Sequence, residues 1–303
     1  MTIDESRARV TFFLSLVIDG LLAGALYALT ALAFVVVYKA ARIINFALGE
    51  WVMLGALLVA TGLNALQLGL AAAIAVACAG MIGFALAFNG LVVRRVLAGP
   101  LIALLMVTLG LGALMRGVGQ IVFAGVPRGI ALPLPAEPLT LGALRIPVEK
   151  LAAAAIAIAV VALVALFYRR SRAGVALRAI ADDRQAAMAS GIDVHRYLAL
   201  AWAMAGVVCV LAGALWVSVA GGGFGMALVG LKIFPIVIIG GLDSIAGTVV
   251  GAMLLGLLES LASGYLDPLL GGGFASVASY MALLAMLLVR PHGLFGRPQV
   301  ERV

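Results

Sequence analysis

Charge is scarce in this sequence. Only 11% of its 303 residues are charged, against roughly 25% in an average soluble domain. With 65% hydrophobic residues and a mean hydropathy of +1.23, a soluble fold is excluded, and lipid is the solvent for most of the surface. Aromatics make up 7%, and no ten-residue segments of alternating polarity occur, which argues against a β-barrel. The two cysteines, Cys78 and Cys209, each lie inside an apolar run, so neither a disulfide framework nor a CxxC centre is expected. The two histidines, His195 and His292, fall in polar segments far from both cysteines, and no metal site is expected. A Ser-His-Asp triad would need residues from opposite sides of a membrane, so nucleophilic catalysis is not expected either. Lysine occurs only at Lys39, Lys150 and Lys232, and never after a glycine. A phosphate-cradling GxxxxGK[ST] loop is therefore excluded.

What is abundant is glycine, 37 residues, together with alanine. Small residues let membrane helices approach closely, and Gly20-xxx-Gly24 and Gly247-xxx-Gly251 read as packing signals. Apolar stretches run at about 11–38, 43–63, 70–92, 101–124, 151–168, 198–220, 228–262 and 275–289. Each of the first six is long enough to cross once. The stretch 228–262 is too long for one crossing and is interrupted by Gly240-Gly241-Leu242-Asp243-Ser244. It reads as two helices, 228–241 and 246–262, that enter and return. The expected fold is all-α: one polytopic transmembrane domain over 1–303, with eight or nine hydrophobic segments. The apolar run after residue 10 is longer than a signal core, so the N-terminus does not read as a cleavable signal.

Thirteen of the 20 basic residues fall in 39–42, 93–100, 169–197 and 290–303. The alternate regions, 1–10, 64–69, 125–150, 221–227 and 263–274, hold five: Arg7, Arg9, Arg128, Arg145 and Lys150. The positive-inside rule then predicts a cytoplasmic C-terminus and an outer, periplasmic N-terminus. The four basic regions share a side only if 228–262 counts as two segments. Topology accounts for the net charge of +7, and no nucleic-acid partner is expected.

Segment 169–197 is the one long cytoplasmic connection. Ala176–Ala189 is rich in helix formers with an apolar set at Leu177, Ile180 and Met188, and Gly191 is placed to end the helix. Such a helix can lie on headgroups, bridge two spans or dock on a partner. Gln185-Ala186-Ala187, three residues and Gly191 resemble the EAA-loop of permease subunits in bacterial ABC importers, with Gln185 where that motif has Glu. Gly24-Ala25-Leu26-Tyr27-Ala28-Leu29, Asn45-Phe46-Ala47, Gly49-Glu50 and Met53 are similar to the start of LivH-type permeases of branched-chain amino acid importers. Arg178–Gly191, Lys232–Gly247 and Arg290-Pro291 to Arg297-Pro298 continue the similarity in order. The resemblance implies a subunit in the bacterial inner membrane, paired with a second related permease, two cytoplasmic ATPase subunits and a periplasmic solute-binding protein. ATP would be used by the partners, with no cofactor on this chain. It assigns coupling to Arg178, Asp182, Gln185, Ala186, Ala187 and Gly191. Urea or short amides remain open as solutes, as does gradient-driven secondary transport with an ion site at the broken helices. A structural membrane subunit without a path is a weaker reading.

Polar groups inside spans are the candidate path: Asn45, Glu50, Arg116, Gln120, Lys232, Asp243 and Glu259. Asn45 and Glu50 sit early in the second span, with Glu50 near its cytoplasmic end as a path residue or an interfacial carboxylate. Arg116 and Gln120, four apart, share a helix face near the outer end of the fourth span, lining a vestibule or snorkelling outward. Asp19 is placed to bond a neighbouring helix or to meet solute. Lys232 and Glu259 are expected at similar depth on the two hairpin arms, paired or snorkelling separately.

Overall fold

The computed structural model describes residues 3–96, 100–124, 129–135, 137–222, 226–270 and 272–296. Arg128, Arg297, Pro298 and Arg302 lie outside them. The helices are α1 (Ile3–Ala41), α2 (Leu48–Asn64), α3 (Leu70–Phe88), α4 (Arg94–Val96), α5 (Leu101–Val122), α6 (Val148–Arg170), α7 (Arg172–Asp182), α8 (Arg184–Ala189), α9 (Val194–Ala220), α10 (Ala227–Gly240), α11 (Ile245–Tyr265), α12 (Asp267–Leu270) and α13 (Phe274–Val289). Among the described residues, six helical stretches are long and apolar enough to cross a membrane: 7–41, 70–96, 102–122, 148–170, 194–220 and 245–265. Three shorter apolar helices, 48–64, 229–240 and 274–289, accompany them. This is the expected all-α polytopic fold. The exception is a hairpin of two three-residue strands, Leu139–Leu141 and Leu144–Ile146, turned at Gly142 with φ +63°.

The chain divides into two compact units. The first comprises 1–31, 133–158 and 234–303. Here the broken stretch is resolved as α10 and α11, joined by an elbow in which Gly241 holds φ +102°. Ser244 caps α11 by accepting a hydrogen bond from the Gly247 amide at 3.0 Å. The arms touch through glycines. A Cβ on Gly247 would fall on the Gly240 carbonyl, and one on Gly251 would lie 2.5 Å from the Ile236 oxygen. The segment after α13 folds back onto the elbow. Leu294 and Phe295 donate to the carbonyls of Ile239 (2.8 Å) and Gly240 (3.1 Å), which α10 leaves open at its end. α1 meets α11 at Gly20 and Gly24, whose Cβ atoms would stand 2.9 and 3.0 Å from the carbonyls of Gly256 and Ala252. Both small-xxx-small motifs are therefore contact surfaces. Between α11 and α13 lies an apolar concavity of about 970 Å³.

The second unit comprises 32–132 and 159–233. α2, α3 and α9 pack on one another. Their core is an aromatic cluster in which the Trp51 ring lies 5.5 Å from Trp202 and 5.7 Å from Phe88, with Phe88 5.2 Å from Trp202. Close backbone approach again depends on glycine. A Cβ on Gly55 would lie 2.7 Å from the Val210 Cα, and one on Gly213 would fall on the Val52 carbonyl. α3 ends in a π-helical turn over Asn89–Val93, where the wider ring admits a buried asparagine.

Candidate functional site

The site begins where α1 stops. Arg42 adopts φ +55°, an uncommon conformation for a residue with a side chain, and the backbone stays non-helical through Phe46 and Ala47. Backbone amides there need partners, because lipid supplies none. Asn45 folds its side chain over the turn and accepts from the Ala47 amide at 3.0 Å. The Phe46 amide donates to the Thr108 hydroxyl of α5 at 3.3 Å. Asn45, 1% exposed, therefore lies in the turn ahead of the second span and not within it. Its Oδ1 is engaged, while its buried Nδ2 has no hydrogen-bond partner among the described residues.

Three residues into α2, Glu50 is buried, with 5% of its surface exposed. Its Oε1 meets the Nε of Arg116 at 3.0 Å. The carboxylate lies against Gly112, where a Cβ would stand 3.1 Å from its Cδ atom. Gly112 is the twelfth of the 22 residues of α5, so the carboxylate sits level with the middle of that helix. Glu50 and Arg116, expected separately near opposite ends of their helices, are thus brought together as an ion pair, and a carboxylate inside an apolar helix bundle is costly unless paired. The Arg116 side chain remains 48% exposed.

Thr108, Gly112, Arg116 and Gln120 recur at intervals of four and form one polar or small stripe along α5. Ile102, Met106, Leu109, Leu114, Val118 and Ile121 occupy its exposed apolar faces. Thr108 and Gly112 were not among the expected residues. Stepping back by fours from Gln120 and Arg116 would have found both. Gln120 is exposed at the end of the stripe.

The remaining candidates lie elsewhere. Glu259 of α11 accepts hydrogen bonds from the Tyr27 hydroxyl of α1 at 2.6 Å and from Ser279 of α13, tying three helices of the first unit together. Asp243 is half-buried in the elbow. Lys232, also half-buried, belongs to the second unit. Asp19 pairs with Lys150 of α6 at 2.5 Å, the helix-to-helix bond expected of it.

The loop 169–197 holds two helices where one was expected. Asp183, with φ −150° and ψ 109°, interrupts the run and caps α8, accepting from the amides of Gln185 (2.8 Å) and Ala186 (3.0 Å). Aspartate competes for backbone amides better than it sustains a helix interior. Gly191, at φ +80°, ends α8 as expected. α7 is clamped to α6: Arg178 donates to the Tyr168 carbonyl at 2.7 Å. A Cβ on Gly174 would lie 2.5 Å from that same oxygen. Tyr168 in turn donates to the Val36 carbonyl of α1 at 3.0 Å. Ala187 is turned inward at 4% exposure, while Gln185, Ala186, Met188, Asp182 and Gly191 are exposed. Arg178→Met is expected to lose this charged clamp, worth about 1.5–3 kcal/mol. The loop should then become protease-sensitive in the folded protein, which limited digestion at arginines reads directly.

An all-α chain with six spans, a glycine-jointed elbow, a polar stripe at mid-helix and a rigidly mounted polar loop defines a polytopic membrane permease. It belongs to the family described as branched-chain amino acid transport system, permease component, whose model matches residues 16–290. The chain is 31% identical over 318 residues to the high-affinity branched-chain amino acid transport system permease protein LivH of Escherichia coli K12, covering 96% of this chain and 98% of that protein. It is 29% identical over 307 residues to the corresponding permease protein BraD of Pseudomonas aeruginosa, with the same coverage of each chain. A probable LivH of Methanocaldococcus jannaschii is 32% identical over 140 residues, 43% of each chain. No solved structure matches it.

Proposed function

We propose that this chain is the membrane-spanning permease subunit of an ATP-binding-cassette importer that carries leucine, isoleucine and valine across the bacterial inner membrane. The observation that carries this reading is the family match over residues 16–290. The chain pairs with a second, related permease subunit. Two cytoplasmic ATPase subunits and a periplasmic solute-binding protein complete the importer. This chain binds no cofactor, and ATP belongs to the ATPase subunits. The absence of a P-loop lysine supports that division.

The N-terminus is periplasmic and the C-terminus cytoplasmic, in line with the basic segments around α7, α8 and the tail. The coupling surface is the exposed part of 169–197, through Asp182, Gln185, Ala186 and Gly191, with Arg178 and the buried Ala187 holding it in place. ATP-driven closure of the ATPase pair moves this loop. Through α6 and α1 the spans then alternate between outward and inward access. The path uses the polar groups of the spans, with Asn45, Glu50, Arg116 and Gln120 central. Lys232, Asp243 and Glu259 are further candidates for the path.

Reconstitution with the partner subunits tests the reading. Proteoliposomes carrying ATP on the ATPase side should accumulate labelled leucine only when the binding protein is present on the other. Uptake of urea or acetamide in place of leucine would move the substrate class within the family. Leucine uptake driven by an ion gradient without ATP would overturn the importer.

A further inference from the structure

Glu50 is the one acidic or basic side chain (Asp, Glu, Lys, Arg or His) among the buried residues described. A charge held at mid-helix depth needs a reason, since an apolar pair of similar volume would pack there at lower cost. Its partner Arg116 approaches through Nε, 3.0 Å from Oε1. A guanidinium carries five N–H donors, more than one carboxylate engages, and the Arg116 side chain is half-exposed. The arrangement therefore offers one carboxylate from α2 and one guanidinium from the stripe of small and polar residues along α5.

We propose that the Glu50–Arg116 pair is the element that reads a zwitterion. An α-amino acid brings an ammonium and a carboxylate joined through one carbon. Its ammonium replaces Arg116 at Glu50, and its carboxylate replaces Glu50 at the guanidinium of Arg116. No uncompensated charge is created at any stage, because one ion pair is exchanged for two and the solute is neutral overall. An uncharged amide offers nothing to exchange, and opening the pair for it leaves two charges unpaired in a poorly hydrated site. The pair thus works as a specificity filter in the membrane, separate from selection by the binding protein. The apolar tail of the solute needs only the surrounding aliphatic wall.

This inference rests on the importer reading and is tested in the same complex. Removing Arg116 alone leaves a buried lone carboxylate at Glu50, so the informative variant is the double neutral one, E50Q/R116Q, which removes both charges and keeps hydrogen-bonding side chains. It should copurify with its partners and take up leucine about 30-fold more slowly or worse, while the ratio of leucine to 4-methylpentanamide uptake collapses. Leucine uptake within about threefold of the parent, with an unchanged ratio, would overturn the proposal. Gln120→Cys supplies a readout that leaves the pair intact. Its labelling by a charged methanethiosulfonate should slow with leucine-loaded binding protein and ATP, but not with 4-methylpentanamide. Equal labelling in all conditions would also overturn it. An unmodified complex that takes up no leucine would refute the importer reading itself, an outcome distinct from either.

Discussion

Gly247→Leu is expected to abolish recovery of folded protein. The arms α10 and α11 meet with no side chain between them, and the atom that a Cβ at 247 would strike is the Gly240 carbonyl. A neighbouring side chain could rotate away, but a backbone carbonyl at the end of a helix cannot. The partner residue is already glycine, so no shortening across the contact can compensate. Separating the arms also strains the elbow. Gly241 needs its positive φ there, and the tail amides of Leu294 and Phe295 bond the Ile239 and Gly240 carbonyls. Overpacking a well-filled site costs about 1–3 kcal/mol, and backbone separation that also breaks two hydrogen bonds adds about 1 kcal/mol for each. That sum approaches the whole stability of a marginal fold. Gly83→Leu is the matched control, since a Cβ at Gly83 meets nothing within 4 Å. Monodisperse yield after detergent extraction should fall at least about tenfold for the first variant and stay near the parent level for the second. Equal yields would show that the arms are not held by this contact.

The elbow was legible in the sequence because its punctuation is local. Two glycines, an aspartate and a serine interrupt an apolar run too long for one span, and both helices meet the elbow within one residue of the expected places. The break before α2 carries no such mark. Ile43, Ile44, Phe46 and Ala47 are as apolar as a span, and the chain is turned instead by Arg42 at positive φ and by the Asn45 side chain. Counting a helix from residue 43 therefore put Glu50 near a surface and hid its meeting with Arg116, two spans away. Depth in a bundle is a tertiary property. It depends on where each helix starts relative to its neighbours, which periodicity does not report. The division of the coupling loop at Asp183 was readable in principle, because consecutive aspartates in a helical run favour a new cap over an unbroken helix.

The same geometry decides how coupling should be probed. Bulk at Ala187 cannot distinguish docking from folding, because that methyl is packed inside the chain's own fold at 4% exposure. Substitution at Gly191 strains a backbone held at φ +80°. Ala186 is the discriminating position: it is exposed on α8, and its amide is fixed by the Asp183 carboxylate. Ala186→Trp should therefore leave thermal stability within about 2 °C of the parent, as surface changes do. If α8 docks in an ATPase groove, an indole on its exposed face blocks seating of the helix. Transport should then fall about 20-fold or more, the scale of a lost coupling free energy, and loaded binding protein should no longer stimulate ATP hydrolysis. Ala187→Trp should instead lower the yield of folded chain before any assay of transport. Normal leucine uptake by Ala186→Trp would place the docking face elsewhere on 169–197. The clamp through Arg178, Tyr168 and Val36 would then be a brace for the spans, with no part in carrying force from the ATPase.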